Sequence, residues 1–436
     1  MILDLNKDMD LIKRVYTYFS SSSYIYEKMY EYYKGNTDAL ANYKMVTSRS
    51  NNKISTNFIK KFIKEEMSYS FGNAINYTSN NGNNKSIKDI YKNTWHWSEK
   101  HDTDLAKNML LYSIGYEIYY TDSNGFSSKV ISPRNGYAYV DENNKVMFFI
   151  RRFTKQFDAI NKIYIDIYDD KYIYHFDDSF GVQLADPDFH YFGKVPVGIA
   201  KLSDELQYDT IYGDIKSLQD AYETNLSDIS NEISDFRQAY LKLTGVDITD
   251  EQATQMKEMG ILKMKNKDSN ADWLIKNIND TFIQNTLNTL EDKMYQLSSH
   301  INHNEKMQSN LSGVALRSRL ISLEERCKLN QQSMTDCIKT RLQMLFTYLS
   351  KLNLTYDASD IKIKYTANIP QDDTAMADIV SKVGDLFSDE TKASLFSFVD
   401  NPSLEIEKRN KEQEEVSQGN SLLDNAPVVG DNSGQV

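Results

Sequence analysis

The sequence has little cysteine, little proline and no long apolar run. Its two cysteines, Cys327 and Cys337, lie within a strongly helical pattern, where the helix rise would hold them roughly 15 Å apart. A disulfide between them is therefore implausible, and we expect reduced thiols in a reducing compartment. No segment approaches the ~18 consecutive apolar residues of a transmembrane helix.

The N-terminal sequence MILDLNKDMDLIKRVY carries charges throughout and has no apolar central region, so it does not have the pattern of a signal peptide. We therefore expect a soluble protein that is made inside the cell and has no membrane partner.

The sequence also lacks the motifs that carry most enzyme chemistry. It contains neither a G-x-x-x-x-G-K-[ST] nor a G-x-G-x-x-G phosphate-binding loop, and neither a nucleophile elbow nor a Cys/His catalytic signature. His300 and His303 form an H-x-x-H pair, but without a third ligand at metal-site spacing we interpret them as solvated loop histidines. We predict a protein that is not an enzyme and that binds no cofactor and no metal.

The net charge is −12, from 50 Lys and Arg against 62 Asp and Glu. This balance argues against a protein that wraps nucleic acid tightly, because neutralising phosphates requires clustered Lys and Arg. The balance does not exclude a protein along which nucleic acid slides, because tight binding of the nucleic acid would then hinder its movement.

Residues 1–120 are predicted to be mainly helical, and residues 121–200 to form an antiparallel β region. Four segments of the second region alternate and are rich in aromatic and β-branched residues: Tyr137–Val140, Val146–Phe153, Lys162–Tyr168 and Tyr172–Phe176. Asn-Gly, Asn-Asn and Asp-Asp pairs between them are typical turn signals.

Long helices are predicted after Pro196. The first runs from Asp209 to Leu243 and ends at Gly245, the second runs from Asp280 to Ile301, and a third of about 37 residues follows Gly313. Smaller elements are a short helix at Thr249–Met259, strands at Ile261–Lys265, Ala271–Ile275 and 361–366, and helices at Thr374–Leu386 and Thr391–Phe398. The polar tail from about Asn410 is predicted to be disordered.

The three long helices far exceed the mean helix length of about 11–12 residues, and each has a narrow apolar stripe. Such stripes are typical of side-by-side helix packing. The pattern leaves two interpretations open: an ordinary helical bundle within one chain, or equivalent helices that pack between the subunits of a ring.

Several motifs occur in a characteristic order. The first is Met67-Ser68-Tyr69-Ser70-Phe71-Gly72, and the second is Gly115-Tyr116-Glu117. The third, Ser312-Gly313-Val314-Ala315-Leu316, precedes the third long helix. Over roughly residues 25–415 the sequence resembles the portal (head-to-tail connector) family of siphovirus-type phages of Gram-positive bacteria, although Ala74 stands where that family usually has proline.

The resemblance implies an α+β portal fold with a mixed wing, long stem helices, a small clip and a short helical crown. The implied boundaries are an N-terminal arm at 1–24, a first wing part at 25–208, stem helices at 209–243 and 280–302, a clip at 244–279, a tunnel loop at 303–314, a second wing part at 315–370, a crown at 371–409 and a disordered tail at 410–436.

The resemblance also implies two groups of functional residues. In the tunnel loop, Asn304, Lys306, Gln308 and Asn310 would lie near DNA in a channel, although Lys306 could equally be an ordinary solvated lysine. In the clip, Lys263, Met264, Lys265 and Trp273 would bind a partner protein, although Trp273 could equally lie in a subunit interface.

The implied function is a ring at a capsid vertex through which double-stranded DNA is packaged and ejected, in a virion assembled in the host cytoplasm. Its partners would be itself, as a dodecamer, the DNA, the terminase large subunit, a head-completion or adaptor protein, and the major capsid and scaffold proteins. The alternatives are another ring-forming or tail-associated virion protein, or a cellular helical scaffold.

Overall fold

The computed structural model describes residues 1–44, 50–157, 162–181, 183–236, 240–244, 249–251, 254, 270–274, 280–302, 313–366, 373–396, 399 and 401–424. These residues combine α-helices with antiparallel sheets, which confirms the predicted α+β class. The chain divides into two compact units. The first comprises Met1–Glu27, Ile63–Thr210 and Glu324–Val436, and the second comprises Lys28–Phe62 and Ile211–Leu323.

The described helices are α1 Leu5–Ser22, α2 Tyr24–Lys34, α3 Asp38–Asn42, α4 Phe58–Phe71, α5 Asn84–Thr94, α6 His101–Tyr112, α7 Ile211–Phe236, α8 Asp280–Leu297, α9 Gly313–Lys351, α10 Asp373–Val383, α11 Asp389–Ala393 and α12 Pro402–Asp424. The strands are β1 Asn76–Ser79, β2 Ile114–Asp122, β3 Gly125–Ile131, β4 Gly136–Val140, β5 Val146–Thr154, β6 Ile163–Tyr168, β7 Tyr172–Asp177, β8 Gln183–Phe189, β9 Val197–Lys201, β10 Tyr240–Thr244, β11 Asn270–Leu274 and β12 Ile361–Lys364.

The first unit is built on a five-stranded antiparallel sheet in the order β4-β5-β6-β7-β8 and a three-stranded sheet in the order β3-β2-β9. Side chains alternate between the two faces of a strand. Phe148 and Ile150 of β5 therefore pack on one face with Ile12 and Val15 of α1, while Phe149 packs on the other face in a cluster with Tyr116, Val197 and other residues of the smaller sheet. The four strands predicted between 137 and 176 are all present.

The first long helix is shorter than predicted. It ends at Phe236, and Tyr240–Thr244 form strand β10, which pairs antiparallel with β11. The prediction was wrong here because Tyr240 and Leu243 continue the helical spacing of apolar residues, while Tyr-Leu-Lys-Leu-Thr also alternates as a strand does. The predicted strand at Ala271–Ile275 matches β11, and Gly245, Ile261–Lys265 and most of Thr249–Met259 lie outside the described residues.

Of the other two long helices, α9 agrees with the prediction, whereas α8 ends at Leu297 instead of Ile301. The tail predicted to be disordered from Asn410 is helical as far as Asp424. Its Glu, Lys and Gln are good helix formers, and Glu407 pairs with Lys411 at 2.9 Å and with Lys88 of α5 at 2.7 Å. Cys327 and Cys337 are both free and buried. The division into wing, stem, clip and crown stays a prediction.

Candidate functional site

Helix α7 of the second unit carries a stripe of polar side chains that are completely buried. Gln219, Glu223, Ser227 and Asn231 recur every four residues, once per helical turn, and each has no exposed surface. Buried polar groups are costly unless they are hydrogen-bonded, so this stripe requires a polar partner.

The partner is the main chain of Asn52–Ile59. Five backbone N–H groups of this segment donate to the stripe: Asn52 to Asn231 Oδ1 at 2.6 Å, Ile54 to Ser227 Oγ at 3.0 Å, Thr56 and Asn57 to Glu223 Oε1 at 2.9 and 3.4 Å, and Ile59 to Gln219 Oε1 at 3.1 Å. We call this arrangement the main-chain clamp. From Asn52 to Thr56 the spacing of donors and acceptors matches, because two extended residues rise about 6.6 Å and four helical residues about 6 Å. Ile59 lies in the first turn of α4.

Glu223 is the centre of the clamp. Besides the Thr56 N–H, its carboxylate accepts the hydroxyl of Thr37 at 2.6 Å and the amide of Gln219 at 3.2 Å. A buried carboxylate that accepts several hydrogen bonds is stabilised without a direct counter-ion. Glu223 therefore ties α7 to two separate stretches of the Lys28–Phe62 segment.

Beyond Ile215, several apolar residues of α7 are partly exposed, although the polar stripe of the same helix is buried. Leu218, Tyr222, Leu226 and Ile229 are half-buried, and the side chain of Ile233 is 56% exposed. On α8, which packs along α7, Phe282 is 68% and Leu297 54% exposed. We call these seven residues the apolar seam. Apolar side chains left partly exposed along a helix pair within one chain indicate a surface for a further partner.

Helix α8 ends in a Schellman turn. The Ser299 N–H donates to Gln296 O at 3.3 Å and the His300 N–H to Tyr295 O at 3.0 Å, with Ser299 in the left-handed region at φ 61°. This cap is hard to predict from the sequence, because glycine usually occupies the position of Ser299.

His300 is buried, with 7% exposure, and stacks on Phe62 at a ring distance of 4.4 Å. The prediction of a solvated loop histidine was therefore wrong for His300. The backbone turn draws the ring inward instead of leaving it in solvent. His303 lies outside the described residues.

The predicted tunnel-loop residues Asn304, Lys306, Gln308 and Asn310 lie outside the described residues, as do Lys263, Met264 and Lys265 of the predicted clip. Trp273 lies in β11, directly opposite Leu241 of β10. The roles of these eight residues stay predictions.

A second buried polar cluster, in the first unit, was not predicted from the sequence. Glu117 of β2 has no exposed surface, and its Oε1 lies 2.9 Å from Nε of Arg341 in α9 and 2.8 Å from Nε2 of His101 in α6. The hydroxyl of Ser128 donates to the same oxygen at 2.8 Å, and Arg341 also reaches Asp102 at 2.7 Å. A lone Glu in the apolar strand sequence Ile-Gly-Tyr-Glu-Ile-Tyr-Tyr was the signal that could have revealed it.

Burial alone would raise the pKa of the Glu117 carboxyl, but the guanidinium of Arg341 and the neighbouring His101 outweigh burial and lower the pKa to about 2. Burial and the nearby Glu117 carboxylate raise the pKa of the Cys337 thiol well above its usual value. At neutral pH the cluster therefore holds a charged pair and an unreactive thiol, which is the chemistry of a structural link.

Among the residues that the structure describes, no three His, Cys, Asp or Glu side chains come together as metal ligands would. Within the same residues, no helix has the length and apolar character needed to cross a membrane.

Comparison with known proteins identifies the family. The model for the family described as "Phage portal protein, SPP1 Gp6-like" matches residues 24–419. This chain belongs to that phage portal family. The resemblance seen in the ordered motifs is thereby confirmed.

A relative in the same family is the portal protein of Bacillus phage SPP1, which is 22% identical over 97% of this chain and 88% of its own length. Two solved structures are also similar. "Neck of empty GTA particle computed with C6 symmetry" has 9% identity and a TM-score of 0.49, over 80% of this chain and 91% of that chain. "Virion of native gene transfer agent (GTA) particle" has 10% identity and a TM-score of 0.46, over 78% and 89%.

Membership in the portal family makes this chain a phage head-to-tail connector and a virion component. The family is structural and non-enzymatic. The alternative of a cellular helical scaffold is therefore rejected.

Proposed function

We propose that this portal protein forms a dodecameric ring at a capsid vertex, through which double-stranded DNA is packaged and later ejected. The family assignment supports the role, and the apolar seam is the observation that supports the ring. Identical copies placed around an axis present the same helix pair repeatedly, so a seam left open in one chain can be covered by the next.

The channel would be acidic on average, because each copy adds a net charge of −12. An acidic lumen repels the phosphate backbone and lets DNA move without adhering. Asn304, Lys306, Gln308 and Asn310 would make transient contacts with the DNA from a loop between α8 and α9.

The segment between α7 and α8 would bind the terminase large subunit during packaging and a head-completion or adaptor protein afterwards. Lys263, Met264, Lys265 and Trp273 are the residues proposed for this contact. The ring would also contact the major capsid and scaffold proteins during assembly in the host cytoplasm, and it would not itself catalyse a reaction.

Negative-stain imaging of the purified chain tests the ring. We expect annular particles with a central hole wide enough for duplex DNA, and compact particles without a hole would refute the proposal. Procapsids assembled with the chain should then protect DNA from nuclease in the presence of terminase and ATP, whereas procapsids without it should not.

The proposed terminase contact has a separate test. Lys263→Ala with Lys265→Ala should weaken the binding of purified terminase to preformed rings, and the remaining binding should depend less on salt, because charge contacts are screened by ions. Lys13→Ala, at an exposed lysine of α1, is the matched control. Equal binding by all three proteins would assign the terminase contact to another surface.

A further inference from the structure

Both ring nitrogens of His300 face backbone carbonyl oxygens. Nδ1 lies 2.7 Å from the carbonyl oxygen of Ser298, and Nε2 lies 3.1 Å from that of Phe62 in α4. The side chain is 7% exposed, so the ring is largely shielded from water.

A carbonyl oxygen only accepts hydrogen bonds, and a neutral imidazole has one N–H and one bare nitrogen lone pair. Either neutral tautomer would therefore direct a lone pair at an oxygen about 3 Å away, inside a buried site. The imidazolium form donates to both oxygens and leaves neither unsatisfied. This geometry selects the charged ring.

Burial of the ring disfavours its charged form, and the neighbouring groups act on that charge in both directions. His300 stacks nearly parallel on Phe62, at an interplanar angle of 27°, and an aromatic face attracts a cation. On α8, the Glu291 carboxylate accepts a hydrogen bond from Asn302 at 3.4 Å and brings negative charge near the turn. On α4, the ammonium of Lys61 lies 5.0 Å from the Phe62 ring and 4.8 Å from the Tyr295 ring, and opposes the charge.

We propose that His300 keeps its second proton at neutral pH and acts as a positioning residue, tying the chain that enters residues 303–312 to helix α4. His300 lies three residues before that segment, and the two hydrogen bonds fix its ring to the end of α8 on one side and to Phe62 on the other. The inferred charge state rests on these two hydrogen bonds. Its consequence for DNA rests on the proposed function of the 303–312 segment.

Solid-state ¹⁵N NMR of the full chain, labelled at histidine, tests the charge state directly. An ordinary histidine is roughly 90% neutral at about pH 7.5, whereas we expect the signals of His300 to show two protonated nitrogens there. His300→Gln assigns the signals by their loss, and His96→Gln, which removes a histidine bonded to Ser127, should leave them unchanged. A neutral tautomer at that pH would overturn the inference.

A packaging assay tests the positioning role. Glutamine at position 300 has one amide nitrogen and cannot reach both carbonyl oxygens, so His300→Gln loses a charge-assisted hydrogen bond. The variant should still form rings, but we expect it to package about tenfold less DNA per procapsid. His300→Arg, which stays charged and has several donors, should recover part of the loss.

Normal packaging by His300→Gln would overturn the positioning role, and so would a failure to form rings, which would mean that the residue acts in folding. Wild-type rings that package no DNA would refute the proposed function instead, while the NMR result would still decide the charge state.

Discussion

Arg341 in helix α9 donates through Nε to both carboxylate oxygens of Glu117 in strand β2, at 2.9 and 3.2 Å. The Arg341 side chain is 4% exposed and that of Glu117 is fully buried. An ion pair at this depth fixes the 39-residue helix to the three-stranded sheet at a defined point along its length. The pair stabilises the fold mainly because removing one member would leave the other charge buried and unpaired, and its net attraction matters less.

Glu117→Gln should therefore destabilise the first unit strongly. The neutral amide leaves the buried guanidinium of Arg341 paired with Asp102 alone among the described ion pairs, and breaking a buried pair from one side typically costs roughly 3 kcal/mol or more. Urea denaturation of the unassembled chain measures the change. Asp336→Asn is the matched control, because Asp336 forms an exposed pair with Lys339 on the same helix and should have little effect. Similar losses in both variants would contradict this account.

The same pair predicts how stability depends on pH. The pKa of Glu117 is lowered to about 2 from an ordinary value of 4.5, so the folded state binds this proton less readily than the unfolded chain does. The stabilisation is complete above about pH 4.5 and is lost as the pH falls towards 2. The stability difference between the wild type and Glu117→Gln should shrink over that window. If the stability difference stayed constant between pH 4.5 and 2, ionised Glu117 would not be the source of the stabilisation.

The main-chain clamp predicts a local effect in the second unit. Glu223→Ala removes the acceptor of the Thr56 N–H and the Thr37 hydroxyl, and each buried donor left unsatisfied costs about 1–3 kcal/mol. Hydrogen exchange should accelerate in the peptide that contains residues 52–57. Ser217→Ala, at an exposed position of the same helix, serves as the control and should leave exchange unchanged. Unchanged exchange in Glu223→Ala would mean that the segment is held by other contacts.

The spacing of apolar residues predicted the helices and strands that fit one periodic pattern only. The apolar spacing of α9 and the alternation of Tyr137–Val140 and Tyr172–Phe176 each matched a single pattern, and each element is present. Tyr240–Thr244 matched two patterns, and pairing with β11 decided in favour of the strand. Local sequence cannot supply that information, because the paired residues of β11 lie 26 to 34 positions away along the chain.

The clamp shows a different limit. Gln219, Glu223, Ser227 and Asn231 have the spacing of a solvated helix face, and sequence patterns take polar residues to be exposed. Only the three-dimensional path of Asn52–Ile59 turns that face into an interior. His300 was misread for the same reason, since its burial depends on Phe62 in a distant part of the sequence.

The apolar seam predicts a separation of folding from assembly. Ile233→Asp places a charge at an apolar position that is 56% exposed in the single chain, so the fold should tolerate it while a subunit contact should not. Mass photometry should show monomers in place of rings, with an unchanged circular dichroism spectrum. Asn285→Asp adds the same charge at an exposed polar position of α8 and should assemble normally. Rings in both variants would place the subunit interface elsewhere.

The predicted tunnel loop is tested by Lys306→Ala combined with Asn310→Ala. If these side chains contact the DNA backbone only transiently, their removal should leave ring assembly intact and reduce the DNA packaged per procapsid. The effect should be largest at low salt, because phosphate contacts weaken as salt rises. Lys13→Ala, at an exposed lysine of α1, should package normally and controls for the loss of a positive charge. Failure of the double variant to form rings would show that the segment stabilises the assembly. If the loop only contacts DNA, truncating these two side chains should not affect the contacts between subunits.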